Sequence, residues 1–212
     1  MLDIGSNIGW YPSFLGRFGY SIISFEPFEI NYYILNKNFC LLNKKNNVII
    51  INKGIDTEEK SCDHWIDKYN IGNGMIICNK NLSNNNLTKL FKKTKKVILT
   101  KLSNFIPYLS DKNIALIKID IEGGEGKAFE SGIDLISKYH VPFIFIEITP
   151  IYLKEHGTDT HQLIKMFTSN GYYISLIDFV KKIFISEIEL LELLKKKIQV
   201  NVYFIHKNII NK

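Results

Sequence analysis

At 212 residues, with 46% hydrophobic and 13% aromatic content, the chain suits one α/β domain with a sizeable core and is short for two. Its net charge of +6 comes from lysines spread along the chain, so charge alone singles out no nucleic-acid or anionic partner. No run reaches the roughly 20 apolar residues of a membrane span, and Cys40, Cys62 and Cys78 lack CxxC spacing, which indicates neither zinc site nor disulfide framework.

Reduced thiols and a cytoplasmic setting are therefore expected, the more so because the first residues read as a strand and not as a charged signal start. Short apolar runs alternate with helical stretches, the pattern of a parallel sheet covered on both faces. Strands are expected at 2–4, 21–26, 48–52, 115–120, 142–148, 172–177 and 199–206. The last follows a Leu- and Lys-rich helix closely enough to pair antiparallel, giving a seven-stranded mixed sheet. A helix is expected over 127–137. The chain is read as a single domain, 1–212, with a variable loop region at about 60–96. There the Asn/Lys-rich tract 79–89 and the run Lys92-Lys93-Thr94-Lys95-Lys96 read as solvated loop. A substrate loop or lid fits this region and partial disorder fits it equally, although 97–102 allows an extra strand.

The first strand runs Leu2-Asp3-Ile4 into Gly5-Ser6-Asn7-Ile8-Gly9, a bend spaced DxGxNxG. Gly5 and Gly9 let backbone N–H groups approach a ligand closely. A dinucleotide turn has a glycine where Asn7 stands. Asp3 would also repel a pyrophosphate but suits a sulfonium, which favours S-adenosylmethionine over NAD. The second strand ends in Glu26, placed to take the hydroxyls of a ribose. A lone glycine-rich bend is otherwise only a tight strand-to-helix connection; the second acid moves the reading towards a nucleoside pocket.

The other dense signal is Ile117-Lys118-Ile119-Asp120-Ile121-Glu122-Gly123-Gly124-Glu125. Acids at the carboxyl edge of a parallel strand face the crevice where ligands bind. Glu122 and Glu125 equally suit the N-terminal dipole of the next helix.

These segments resemble the FkbM-type S-adenosylmethionine-dependent methyltransferases: LDIGSNIGWYP at 2–12, FEP at 25–27, Asn38 and Asn43, IKIDIEGGE at 117–125 and PFIFIEI at 142–148. Asn170-Gly171-Tyr172 and Val202-Tyr203-Phe204 extend the likeness. The resemblance implies a class I methyltransferase fold, a Rossmann-like three-layer sandwich with an antiparallel last strand. It implies Asp3, Gly5, Asn7 and Gly9 around the methionine part of the cofactor, Glu26 on its ribose, and the adenine near Gly54, Ile55 and Asp56. Lys101-Leu102-Ser103 and Ser131-Gly132 depart from the family's Thr-Leu-Asp and Gly-Ala, which leaves open a diverged substrate or weakened activity. Such domains usually carry helical material before the first strand; here that strand begins at Met1, so the chain is either trimmed or minimal at its start.

A sulfonium methyl is already activated, so methyl transfer needs mainly an acceptor held in line, with a base to take its proton. Asp120 is the first choice for that base and Glu122 the second. Glu147, ending the fifth strand, and His156, in the loop beyond it, are candidate contacts to a small-molecule or glycan hydroxyl. His156 also reads simply as an exposed loop residue. Asp120 and Glu147 offer two oxygens to Mg²⁺, but no third ligand is apparent, and no HxxxH pair suggests zinc. An RNA 2′-O-methyltransferase is the second reading, opposed by an acid at position 147 where those enzymes resemble one another in carrying lysine. A non-catalytic binding domain that keeps the fold is a reading of a different class, and a NAD-dependent enzyme, opposed by the Asn7 turn, is the third.

Overall fold

The computed structural model describes residues 1–41, 47–69, 74–78, 90–109, 113–177 and 183–210. Asn43, the tract 79–89 and parts of the 60–96 region lie outside them. The seven expected strands all form: β1 (Leu2–Ile4), β2 (Ile22–Phe25), β3 (Val48–Ile51), β8 (Leu116–Ile119), β9 (Phe143–Ile148), β10 (Tyr172–Ser175) and β11 (Val200–His206). They make one sheet in the order β10-β11-β9-β8-β1-β2-β3. Pairs β2–β3 and β8–β9 are parallel, whereas β11 runs antiparallel to both its neighbours, β10 and β9. Parallel neighbours require a crossover, supplied after β1 by α1 (Trp10–Arg17) and after β2 by α2 (Glu29–Leu41). No helix among the described residues is long and apolar enough to cross a membrane.

Contacts divide the chain into two compact units, Asp3–Lys101 and Met1–Leu2 with Leu102–Lys212. In the first, a second sheet replaces the expected loop region. Its strands are β4 (Gly54–Ile55), β5 (Lys60–Asp67), β6 (Gly74–Ile77) and β7 (Phe91–Thr100), ordered β4-β7-β5-β6. Periodicity hid β5 because the residues it buries include Cys62 and His64, which do not read as an apolar stripe. The lysine run 92–96 is strand, not loop. Its side chains are exposed as expected of charges, but the backbone pairs with β5, and Lys93 and Lys95 meet Asp63 and Glu29.

The same sheet overturns the expectation of three reduced thiols. Antiparallel pairing of Asp63 with Ile77 carries Cys62 opposite Cys78, and the two form a disulfide. Cys40 is free and exposed. Spacing in sequence could not show a pairing created by strand register, and the thiol argument for a reducing compartment falls with it.

In the second unit, a 3₁₀ helix (Leu102–Leu109) precedes β8. The helix expected over 127–137 is two helices, α3 (Glu125–Ser131) and α4 (Ile133–Lys138), divided at Gly132. The Ser131 hydroxyl accepts the Leu102 N–H and donates to the Ala128 carbonyl, so this departure from the family pattern has a local structural use. Two helices follow β9, α5 (Pro150–Glu155) and α6 (Thr160–Ser169). The core is aromatic: Phe167 of α6 stacks on Phe204 at 3.9 Å and packs against Phe129 at 4.0 Å. Beyond β10, α7 (Glu187–Lys196) starts on a reciprocal Ser186–Glu189 cap, and α8 (Lys207–Ile210) follows β11.

Candidate functional site

In the Asp3–Lys101 unit, the bend after β1 has positive φ at Gly5 (84°), Asn7 (49°) and Gly9 (93°). Asparagine tolerates this region better than most side chains, so the DxGxNxG spacing is the sequence of the backbone shape. Gly5 and Ser6 N–H groups both donate to the Phe25 carbonyl, fastening the bend to the end of β2. Gly9 has an additional duty: a Cβ there would lie 2.2 Å from Leu35 of α2.

Glu26 is 3% exposed and accepts the Asn7 N–H at 2.7 Å and the Phe28 N–H at 2.9 Å. The side chain of Asn52, which the sequence did not single out, donates to the carbonyls of Glu26 and Pro27 and fixes this corner from just beyond β3. Asp3 is fully buried on β1. Ile55 is buried on β4, and the Asp56 carboxylate beside it accepts from Thr57 N–H and from Lys60 at 2.9 Å. A carboxylate has about four acceptor positions, so Glu26, oriented by two amides, is compatible with accepting hydroxyls as well. The geometry thus fits a nucleoside with a ribose diol at Glu26 and a close-approaching chain at the bend.

The second unit gathers Asp120, Glu122 and Glu147. One carboxylate oxygen from each lies within 4.8 Å of the others, so Glu122 is the third ligand that the sequence did not reveal for a candidate cation site. A cation is already present. Lys118, 4% exposed on β8, places its ammonium 3.3 Å from Asp120; its signal in the sequence was a lone lysine inside an apolar strand. Glu122 sits at φ 56°, a left-handed conformation that a non-glycine residue adopts rarely. Burial, reinforced by the charges of Asp120, Glu147 and Glu125, pushes its carboxyl up to about 7 against the opposing Lys118. Glu147 is raised by burial and by Asp120, opposed by Lys118 and a bond to Gln199.

Glu125 is a brace. Fully buried in the first turn of α3, it accepts the Ile121 and Gly123 N–H groups at 3.1 Å, holding the loop that presents Glu122. His156 is half-buried, not an exposed loop residue. It caps the end of α5, its Nδ1 lies 2.9 Å from the Tyr152 carbonyl, and it packs over Gly123. The structure therefore brings His156 to the acidic loop from α5.

The family model for the methyltransferase FkbM domain matches residues 3–174. The chain belongs to the FkbM methyltransferase family. Among solved structures, it resembles a methyltransferase FkbM from Methylobacillus flagellatus KT, at 14% identity and a TM-score of 0.55, over 97% of this chain and 43% of that one. The chain thus spans less than half the length of that relative. A putative rRNA-methylase from Clostridium thermocellum matches at 9% identity, over 96% and 87% of the two chains, with a TM-score of 0.49. A protein of the NADB-Rossmann superfamily from Streptococcus agalactiae matches at 15% identity, over 97% and 60%, also with a TM-score of 0.49. No curated protein sequence matches. The family match and the Methylobacillus likeness agree with a Rossmann-like class I methyltransferase fold, and the pairing of β11 makes its last strand antiparallel.

Proposed function

We propose that this FkbM-family chain is an S-adenosylmethionine-dependent O-methyltransferase acting on a hydroxyl of a sugar, glycan or small metabolite, its 212 residues working as a single domain. The observation that carries the donor assignment is the bond from Asn7 N–H to Glu26, which joins the bend and the ribose acid into one rigid corner. Gly5, Asn7 and Gly9 would lie along the amino-acid part of the donor, Glu26 on the ribose, and Ile55 with Asp56 towards the adenine. Asp3, buried beneath the bend, contributes negative potential suited to a sulfonium. When bound, the donor supplies an activated methyl group.

The acidic cluster supports an oxygen acceptor. A hydroxyl is a poor nucleophile until its proton leaves, and a base tuned near neutral pH contributes roughly 10²–10⁴ in rate. Glu122, raised to about 7, is the better matched of the two sequence candidates. Asp120, held by Lys118, and Glu147 would accept hydrogen bonds from neighbouring hydroxyls and orient them; His156, resting on the same loop, is a further substrate contact. Lys118 supplies the positive charge that a metal ion would otherwise bring to these carboxylates.

A nucleic-acid acceptor is less favoured, since Glu147 stands at the penultimate position of β9 and a carboxylate repels phosphates. The test is transfer from methyl-labelled donor to a panel of sugar, glycan, small-alcohol and RNA acceptors, repeated with Glu122→Gln, Asp120→Ala and Glu26→Ala. Labelling of a sugar hydroxyl that requires Glu122 supports the reading. Labelling of RNA alone would replace it, and absence of donor binding by calorimetry would leave a non-catalytic domain.

A further inference from the structure

Within the Asp3–Lys101 unit, the β5–β6 hairpin packs behind the Glu26 corner, and a disulfide closes it. Among the described residues β6 has β5 as its one strand partner, paired from Asp63–Ile77 to Ile66–Gly74. So short an edge ladder contributes little stability by itself. Cys62–Cys78 fastens the end beyond Asp63–Ile77. The ring of Phe28 lies on this hairpin. It stacks on His64 of β5 with centroids 3.5 Å apart and an interplanar angle of 19°, and it packs, as does Ile76 of β6, against the buried cluster of Cys62, Val97 and Leu99. His64 is itself fixed, buried with Nδ1 2.7 Å from the Thr94 hydroxyl of β7. Burial lowers its pKa to about 4, so the imidazole stacks in its neutral form. Gly74, the first residue of β6, closes over both rings: a Cβ there would lie 2.7 Å from His64 Nε2 and 2.7 Å from Phe28 Cε2. The backbone N–H of the same Phe28 donates to Glu26 Oε1 at 2.9 Å, while Glu26 Oε2 accepts the Asn7 N–H. A continuous series of contacts therefore runs from the disulfide through β6 and the aromatic stack to the Glu26 carboxylate.

We infer that the Cys62–Cys78 bond is a redox switch on the Glu26 corner: when made it holds β6 against the Phe28–His64 stack, and when broken the edge strand loosens and the carboxylate loses its fixed orientation. The bond is open to attack from one side. Cys62 is buried in the core of the hairpin, whereas Cys78 is exposed, and exposed disulfides are the labile and regulatory ones. A thiolate of an external dithiol attacks Cys78 Sγ; the bond to Cys62 breaks, its electron pair leaves on the Cys62 sulfur, and a mixed disulfide stands on Cys78. The second sulfur of the dithiol then displaces Cys78 and closes the dithiol into its own disulfide, so that two electrons and two protons have passed from the dithiol to the two cysteines. The consequence for donor affinity rests on the proposed reading of Glu26 as the ribose acid; the coupling of bond to corner does not.

The test compares the oxidised chain, the chain reduced with dithiothreitol and the chain reoxidised, at a temperature where circular dichroism shows all three folded. Amide hydrogen exchange without any ligand should show Asn7 and Phe28 losing protection on reduction by at least about tenfold more than Ile144 and Ile146 of β9. Calorimetry with S-adenosylmethionine should show affinity at least about tenfold weaker after reduction and recovered on reoxidation. Phe28→Leu keeps the N–H but removes the stacked ring, and it should bind the donor weakly in both redox states. Equal protection of Asn7 and Phe28 in the two redox states would overturn the switch, and donor affinity retained by the oxidised chain would leave the donor reading standing. Exchange that follows the bond, with donor binding absent from every form, would support the switch and sink the donor reading. A Phe28→Leu protein that responds to reduction as fully as the unmodified chain would overturn the switch as well.

Discussion

The carboxylate of Glu26 accepts the backbone N–H of Asn7 at 2.7 Å, so the acid that ends β2 and the bend that ends β1 hold one another in place. One side chain therefore shapes this corner and, on the proposed function, would also read the ribose of a donor bound there.

Replacing Glu26 by alanine should cost binding and stability together. Donor affinity measured by titration calorimetry should fall at least tenfold, about 1.4 kcal/mol. The loss of an acceptor for the Asn7 and Phe28 amides should lower folding stability by about 1–3 kcal/mol in urea denaturation. Full donor affinity in a folded Glu26→Ala protein would remove this residue from the site.

The rate of methyl transfer should depend on pH through Glu122. Its carboxyl is raised to about 7, so the basic form, and with it the rate, should increase between pH 6 and 8 and then level. Glu122→Gln should lower the rate by roughly 10²-fold or more and flatten that rise. Turnover measured at saturating donor across pH checks both.

Glu125 should make stability depend on pH in the opposite sense to a salt-bridged acid. Burial raises its folded carboxyl to about 7 from an ordinary 4.5. The folded state thus holds more protons than the unfolded one in this window, and the stability present below about 4.5 is lost as pH climbs through 7. Glu125→Gln keeps an acceptor for Ile121 and Gly123 but no charge. At pH 8 it should be the more stable protein, by roughly 1–3 kcal/mol, with the difference shrinking at pH 5. Thermal melts at the two pH values measure this; a less stable variant at pH 8 would refute it.

Two glycines with positive φ should respond differently to alanine. At Gly123 (φ 105°) a Cβ would lie 2.5 Å from the Tyr152 carbonyl oxygen and 2.6 Å from His156, whereas at Gly157 (φ 82°) no atom of the described residues lies within 4 Å. Gly157→Ala should cost only the backbone term, about 1–2 kcal/mol. Gly123→Ala should cost roughly twice that through overpacking and should slow transfer by displacing the Glu122 loop. Equal stabilities would show that the α5 end yields freely.

The Cys62–Cys78 bond closes a loop of 16 residues' separation, and a loop of that size stabilises by about 3 kcal/mol in chain-entropy terms. Under denaturing conditions without reductant, one thiol, Cys40, should take iodoacetamide; after reduction all three should. Reduction should also lower the melting temperature. Labelling of three thiols without reductant would contradict the pairing.

Much of the architecture was legible because a parallel sheet buried on both faces leaves near-continuous apolar runs, and 117–119 and 143–148 read that way. The bend was legible for a different reason: positive φ demands glycine or asparagine, so its backbone geometry is written as residue types at Gly5, Asn7 and Gly9. Glu26 and Asp120 were legible as acids closing such runs.

Contacts between residues distant in the chain were not. The register that sets Cys62 opposite Cys78, the second sheet whose exposed ladders take lysine and aspartate, and Glu122 as third member of the acidic cluster all depend on how segments meet. So do the buried Lys118, the packing of His156 on Gly123, and the solvent-facing stripe from Trp10 to Phe18. By itself the sequence determined the sheet, the bend and the family, because those follow from local conformational preference and the periodicity of burial. Tertiary structure alone decided the disulfide, the burial of Glu122 among other acids and the outward aromatic stripe, because pairing, desolvation and exposure are properties of neighbours that the linear order does not specify.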